Sequence, residues 1–313
     1  MGTGERLDWN RRCPSVDNRT GEERSVGLET GSALARATID WRGAAHVAAL
    51  DEVEDVARRF VGVVDDPPHG LTTDEARTLL PIVERAIDAS TPHALMTRRT
   101  PDATRLIEAG GPIDTAFTSA QSNPFGTRGL LYRLEREARE RWLGIHGAGA
   151  NEGDTAYAEV AFQPPGTALP GPRPYYGDVA LVCPGDAAQG ATILHRDSFS
   201  VFDRDAVAGM ERLPDVVLRS NIGKHAIEAA RVGDDLDVAG FERSLLEQLD
   251  ERNQGIEQYV EVHMRPRPTP GAREFTVDDL AEIRIRSGAE DTERLREVAA
   301  ARGIPVRDVG HDL

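Results

Sequence analysis

Apolar residues at Leu50, Val53, Ala57, Phe60 and Val61 fall on one face at helical spacing, and this predicts an amphipathic helix that stops at Asp65-Asp66-Pro67-Pro68-His69-Gly70. A second helix is predicted from Thr72 or Thr73. Asp74 and Glu75 suit the positive end of its dipole, and Leu79, Ile82, Val83, Ala86 and Ile87 line one side. The period changes after residue 90. His93 to Arg98 reads as a short strand. Thr100-Pro101-Asp102 reads as a helix start, with Thr100 as the cap and Pro101 first in the helix, closed by Gly110-Gly111. Ile113 to Ser119 predicts a loop entering a strand. Residues 128–143 predict a helix with Leu130, Leu131, Leu134, Ala138 and Trp142 on one side and a solvated Arg/Glu face on the other.

Strands are predicted at Ala156 to Phe162, Tyr176 to Cys183 and Ala191 to His195, with a Pro/Gly-rich loop over 163–174. A helical stretch follows over 223–249, with Gly233-Asp234-Asp235 as its weak point. Then come strands at Gln258 to Met264 and Glu282 to Arg286, a helix at Asp291 to Arg302, and a strand at Ile304 to Val309. Helices lead and short strands follow without βα alternation, which predicts an α+β fold. The chain divides into a flexible arm over 1–35, a helical N-terminal segment over 36–90 and a chemistry-bearing region over 91–313.

Composition narrows the partners. The 313 residues hold 53 acidic and 37 basic side chains, a net charge of −16, which repels a phosphate backbone; no nucleic-acid partner is expected. Lys224 is the only lysine. A GC-rich coding sequence explains that most simply; selection against lysine in a protein acting inside a foreign cell is the sharper alternative. Cys13 and Cys183 make neither a disulfide framework nor a metal cluster. No apolar run approaches a bilayer span, and the first residues show no secretory h-region. A soluble protein is therefore expected, cytoplasmic as made or exported without a cleavable signal. No Gly-rich loop follows a strand as a nucleotide-binding βα unit requires. His195-Arg196-Asp197 reads as ordinary strand and turn, and Asp178, Asp186 and Asp197 lack dense ligand spacing, so no metal is expected.

Three segments carry the chemistry. "LMTRRTPDATRLIEAGG" places an arginine at a strand end before a short helix closed by glycine. "AFTS" is a serine strand, and "QYVEV" followed by "DLAEIRI" is a glutamate hairpin. In this order they resemble the Arg–Ser–Glu branch of the ADP-ribosyltransferase superfamily over roughly residues 91–287, and "YYGDVALVCPGDAAQGATILHRDSF" resembles a strand pair of its bacterial toxin-type members. The resemblance implies a split β-sheet core, NAD as substrate, Glu261 and Ser119 as catalytic residues, and Arg98, Thr100, Phe117, Tyr176 and Tyr259 around the cofactor. It also implies a toxin or effector with a protein acceptor and an immunity or inhibitor protein as partner.

The chemistry is coherent. A guanidinium such as Arg98 can make a bidentate contact with a pyrophosphate. Cleaving the nicotinamide–ribose bond builds oxocarbenium character, which a carboxylate such as Glu261 stabilises. Ser119 would hold that carboxylate, and one of Phe117, Tyr175, Tyr176 or Tyr259 would stack on nicotinamide. Tyr259 stands where arginine-modifying members carry Glu or Gln, two positions before the glutamate, and Arg99 replaces the usual glycine. The acceptor therefore stays open between a protein side chain, a small molecule and water, the last being NAD glycohydrolysis. A catalytically silent partner-binding module of the same fold is the reading from another class.

Overall fold

The computed structural model describes residues 36–42, 60–113, 138, 142–143, 156–189, 191–198, 201, 207–250, 259–264 and 275–310. The expected helix over 50–61 lies outside them up to residue 59, and Phe60 and Val61, where its last turn is expected, are not helical; the strand around Phe117 and Ser119, and all of the 128–143 helix except Ala138, Trp142 and Leu143, also lie outside them.

Helix α1 (Thr73–Ala89) begins on a capping box: Thr72 Oγ1 accepts from the Glu75 N–H at 3.2 Å, and Glu75 Oε2 accepts from the Thr72 N–H at 2.7 Å. Strand β1 (Thr91–Arg98) leads into α2 (Thr100–Ala109), whose cap is Arg99, with Thr100 already helical. The helix thus starts one residue earlier than the Thr100 cap expected from Pro101; proline is tolerated anywhere in the first turn, where its missing N–H has no partner to lose. Next come β2 (Ala156–Gln163), β3 (Val179–Cys183), α3 (Gly185–Gln189), β4 (Thr192–Leu194) and β5 (Val207–Gly209). The expected long helix over 223–249 is two helices with a hairpin between them, and a further short helix precedes them. Helices α4 (Leu213–Arg219) and α5 (Asn221–Ala230) precede a small hairpin, β6 (Arg231–Val232) and β7 (Asp235–Leu236), and α6 (Val238–Leu249) follows. Gly233 at φ 64° turns that hairpin, so the Gly-Asp-Asp signal marks a β-turn and not a kink. Strands β8 (Val260–Met264) and β9 (Glu282–Arg286), helix α7 (Glu293–Ala301) and β10 (Val306–Val309) complete the described chain.

Eight strands form one mixed sheet in the order β10-β9-β3-β1-β2-β8-β4-β5, parallel only between β9 and β10. The molecule is α+β, and among the described residues these eight strands run as one large mixed sheet. The registers are staggered: β1 pairs with β2 through Thr91–Leu95 and with β3 through Ala94–Arg98. The gap beside the start of β1 is closed by the chain near Thr38, which bridges to His93, and by the Ile39 N–H donating to the Pro92 carbonyl at 2.9 Å.

The two faces of the sheet differ. Ala94, Met96, Val160, Phe162, Leu181, Val260, Val262 and Ile283 point toward the helices and join Leu79, Leu106, Val217 and Leu245 in the main core. Alternation places Thr97, Tyr157, Glu159, Glu261, His263, Glu282 and Arg284 on the other face. There the 164–178 loop lies across the strands. Its Pro170 carbonyl accepts from Arg284 Nη1 at 2.7 Å, and the Arg173 N–H donates to Thr97 Oγ1 at 3.2 Å.

Candidate functional site

Glu261 stands in the middle of β8, 3% exposed, between Val260 and Val262, which face the core. Its Oε2 accepts from the Ser198 N–H at 3.0 Å, just past β4. Its Oε1 meets His263 Nε2, two residues on and therefore on the same face. The His263 ring lies edge-on to Tyr157, with centroids 4.7 Å apart at 70°.

The register sets Glu159 of β2 directly opposite Glu261. Glu159 is 6% exposed, and its Oε2 pairs with Nε of Arg173, itself 5% exposed. The Arg173 guanidinium lies 5.2 Å from the centroid of the Tyr259 ring. Tyr259 donates its hydroxyl hydrogen to Asp197 Oδ2 at 3.0 Å. Burial, and then the charge of Glu261, push the Tyr259 hydroxyl far above the ordinary tyrosine range. Burial likewise raises Tyr176, whose hydroxyl meets Tyr259. Burial also pushes the Glu159 carboxyl up, against the opposite pull of Arg173.

Of the residues expected at the site, Glu261, Tyr259 and Tyr176 come together. Tyr176 is 45% exposed and Tyr175 64%, their rings edge to face at the rim. Arg98 ends β1 on the helix-covered face with Ala94 and Met96, and its Nη1 donates to the Thr97 carbonyl at 2.9 Å. Its backbone still touches the site's rim, for a Cβ on Gly177 would sit 2.1 Å from the Arg98 carbonyl oxygen. Thr100 is buried in the first turn of α2, in line with Ala103, Leu106 and Ile107, and is not brought to Glu261. Ser119 and Phe117 lie outside the described residues.

Sequence reasoning missed Glu159, Arg173, Asp197, Ser198 and His263. Two of these left a signal. Glu159 is the lone charge in the apolar run Ala156 to Phe162, and His263 follows Glu261 at the spacing that shares a strand face. Arg173 sits in a Pro-rich loop with no periodicity to betray it. Among the described residues no group of three or more His, Cys, Asp or Glu is arranged to hold a metal, and no helix is long and apolar enough to cross a membrane. No known family and no curated protein matches this chain.

Proposed function

We propose that this chain is an NAD-dependent ADP-ribosyltransferase with an ADP-ribosyltransferase-like core, acting as a toxin or effector. Glu261 stabilises the ribose as nicotinamide departs, and ADP-ribose passes to an acceptor. The observation that carries this reading is the setting of Glu261. It is a buried strand carboxylate, fixed on one oxygen by the Ser198 N–H and on the other by His263, among tyrosines. A carboxylate fixed in advance needs no reorganisation when positive charge builds on ribose C1′. In this reading His263 does what the resemblance assigns to Ser119, holding the carboxylate in its productive rotamer. Tyr176, half exposed at the rim, is the ring for nicotinamide to stack on.

One observation favours water as the acceptor. Tyr259 holds the position of the acidic or amide residue in arginine-modifying members, and its hydroxyl is committed to Asp197. The test is nicotinamide release from NAD by the intact chain and by Glu261→Gln, with a loss of about 100-fold or more expected for the variant. Labelled NAD separates the readings: label on protein supports transfer, and free ADP-ribose supports hydrolysis. An intact chain that releases no nicotinamide refutes both and favours the silent module.

A further inference from the structure

We propose that Glu159 is a second catalytic carboxylate of this site, the base that takes the proton of the nucleophile attacking ribose C1′. This rests on the NAD-cleaving reading of Glu261. Glu159 and Glu261 are direct cross-strand partners on antiparallel strands. Such positions hold their Cβ atoms about 4.5–5.5 Å apart. Like charges that close, both buried, repel, and the chain compensates them differently. Glu261 has a backbone N–H on one oxygen and an imidazole on the other. Glu159 has Arg173 on Oε2, while its Oε1 is buried without a hydrogen-bond partner among the described residues.

A buried carboxylate oxygen lacking a donor is costly, and nearly all such atoms are satisfied in folded proteins. An incoming O–H or N–H is the group that would satisfy this one. Two carboxylates a strand spacing apart, in unlike surroundings, also divide labour as glycosidic chemistry requires: one faces the sugar, the other handles a proton. Tyr259 cannot take that second role at neutral pH, because burial and Glu261 oppose its ionisation. Burial of Glu159, which raises its carboxyl against the pull of Arg173, moves it toward the range of a useful base. Tyr176 is half exposed at the rim, and a ligand entering on that side meets it first.

The step balances as follows. The C1′–N bond breaks, its electron pair stays on the ring nitrogen, and the pyridinium leaves as neutral nicotinamide. A lone pair of the nucleophile forms the new bond to C1′, and the proton it sheds moves to Glu159 Oε1. With water the product is ADP-ribose; with a side-chain or small-molecule nucleophile it is the adduct.

The experiment compares the full chain, Glu159→Gln and Glu261→Gln for nicotinamide release from NAD, with and without azide. Azide is an anionic nucleophile that brings no proton. Glu159→Gln should lose about 100-fold or more in turnover with little change in KM. Azide should restore much of that rate and yield ADP-ribosyl azide by mass spectrometry, while Glu261→Gln should gain nothing. If Glu159→Gln melts early, Glu159→Asp keeps a carboxylate for Arg173 but withdraws it from C1′, and the same azide pattern is expected. A Glu159→Gln rate within about threefold of the parent overturns the proposal. So does a slow, well-folded variant that azide does not rescue. An intact chain silent toward NAD removes the underlying reading before any substitution is made, an outcome distinct from failure at Glu159 alone.

Discussion

Breaking the Glu282–Arg284 pair should destabilise the protein more than deleting it. Both side chains are fully buried on β9, with Arg284 Nε 2.6 Å from Glu282 Oε1. Glu282 Oε2 also meets Arg307 Nε at 2.7 Å, and Arg284 donates to the Pro170 carbonyl at 2.7 Å and toward His93 Nδ1 at 3.5 Å. Glu282→Gln leaves a guanidinium at zero exposure without its counter-charge, which costs about 3–5 kcal/mol. Arg284→Met leaves Glu282 buried with Arg307 alone, a loss of similar size. The double variant Glu282→Leu/Arg284→Met removes both charges, frees the partly exposed Arg307 to turn to water, and takes the donor from the Pro170 carbonyl and from His93 Nδ1. Its expected cost is about 1–3 kcal/mol, below either single change. Urea unfolding followed by circular dichroism, at constant slope, measures all three. Single losses under about 1 kcal/mol, or a double loss equal to their total, would refute the reasoning.

Three further outcomes are expected. Burial holds His93 and His195 down to about 3, well below the ordinary 6.5, so both stay neutral in the folded chain. Their unfolded forms take up protons below pH 6.5, so stability is lost as pH falls from there toward 3. The slope is up to about 1.4 kcal/mol per pH unit for each histidine, and His195→Gln should remove one proton from it in urea midpoints measured across that window. Thr72→Ala deletes the acceptor for the Glu75 N–H and should cost about 1 kcal/mol by the same assay; no change would deny the cap a role. Gly177→Ala places a methyl 2.1 Å from the Arg98 carbonyl. It should destabilise by about 1–3 kcal/mol, and an unshifted melt would contradict that close approach.

Legibility in the sequence followed periodicity. Glu282–Arg286 matches its expected bounds, and Ala156–Gln163, α1 and α7 fall within a few residues of theirs, because each buries a regular apolar face. The hairpin at Arg231–Leu236 and the three-residue β5 were missed: neither is long enough to show a period, and only tertiary neighbours define them. Glu261 stood out as a charge between two valines. Its surroundings did not, because Glu159 lies 102 positions away in sequence and meets it only through strand register. Arg98 illustrates the converse. A strand-end arginine was visible, but the face it takes depends on counting alternation from Leu95, which pairs with Glu159.

The order of the sheet bears on how the protein is made. Strand β8 is synthesised about a hundred residues after β2, yet it lies between β2 and β4. Until residues 260–264 emerge, the apolar run Ala156 to Phe162 has an open edge, the kind of surface on which chains stick to one another. The pairings that close it span a hundred residues, so this part of folding is slow compared with the helices. A chain cut short before Val260 would carry that exposed edge and lack Glu261 altogether. Interrupted synthesis before that point would then give an aggregation-prone product.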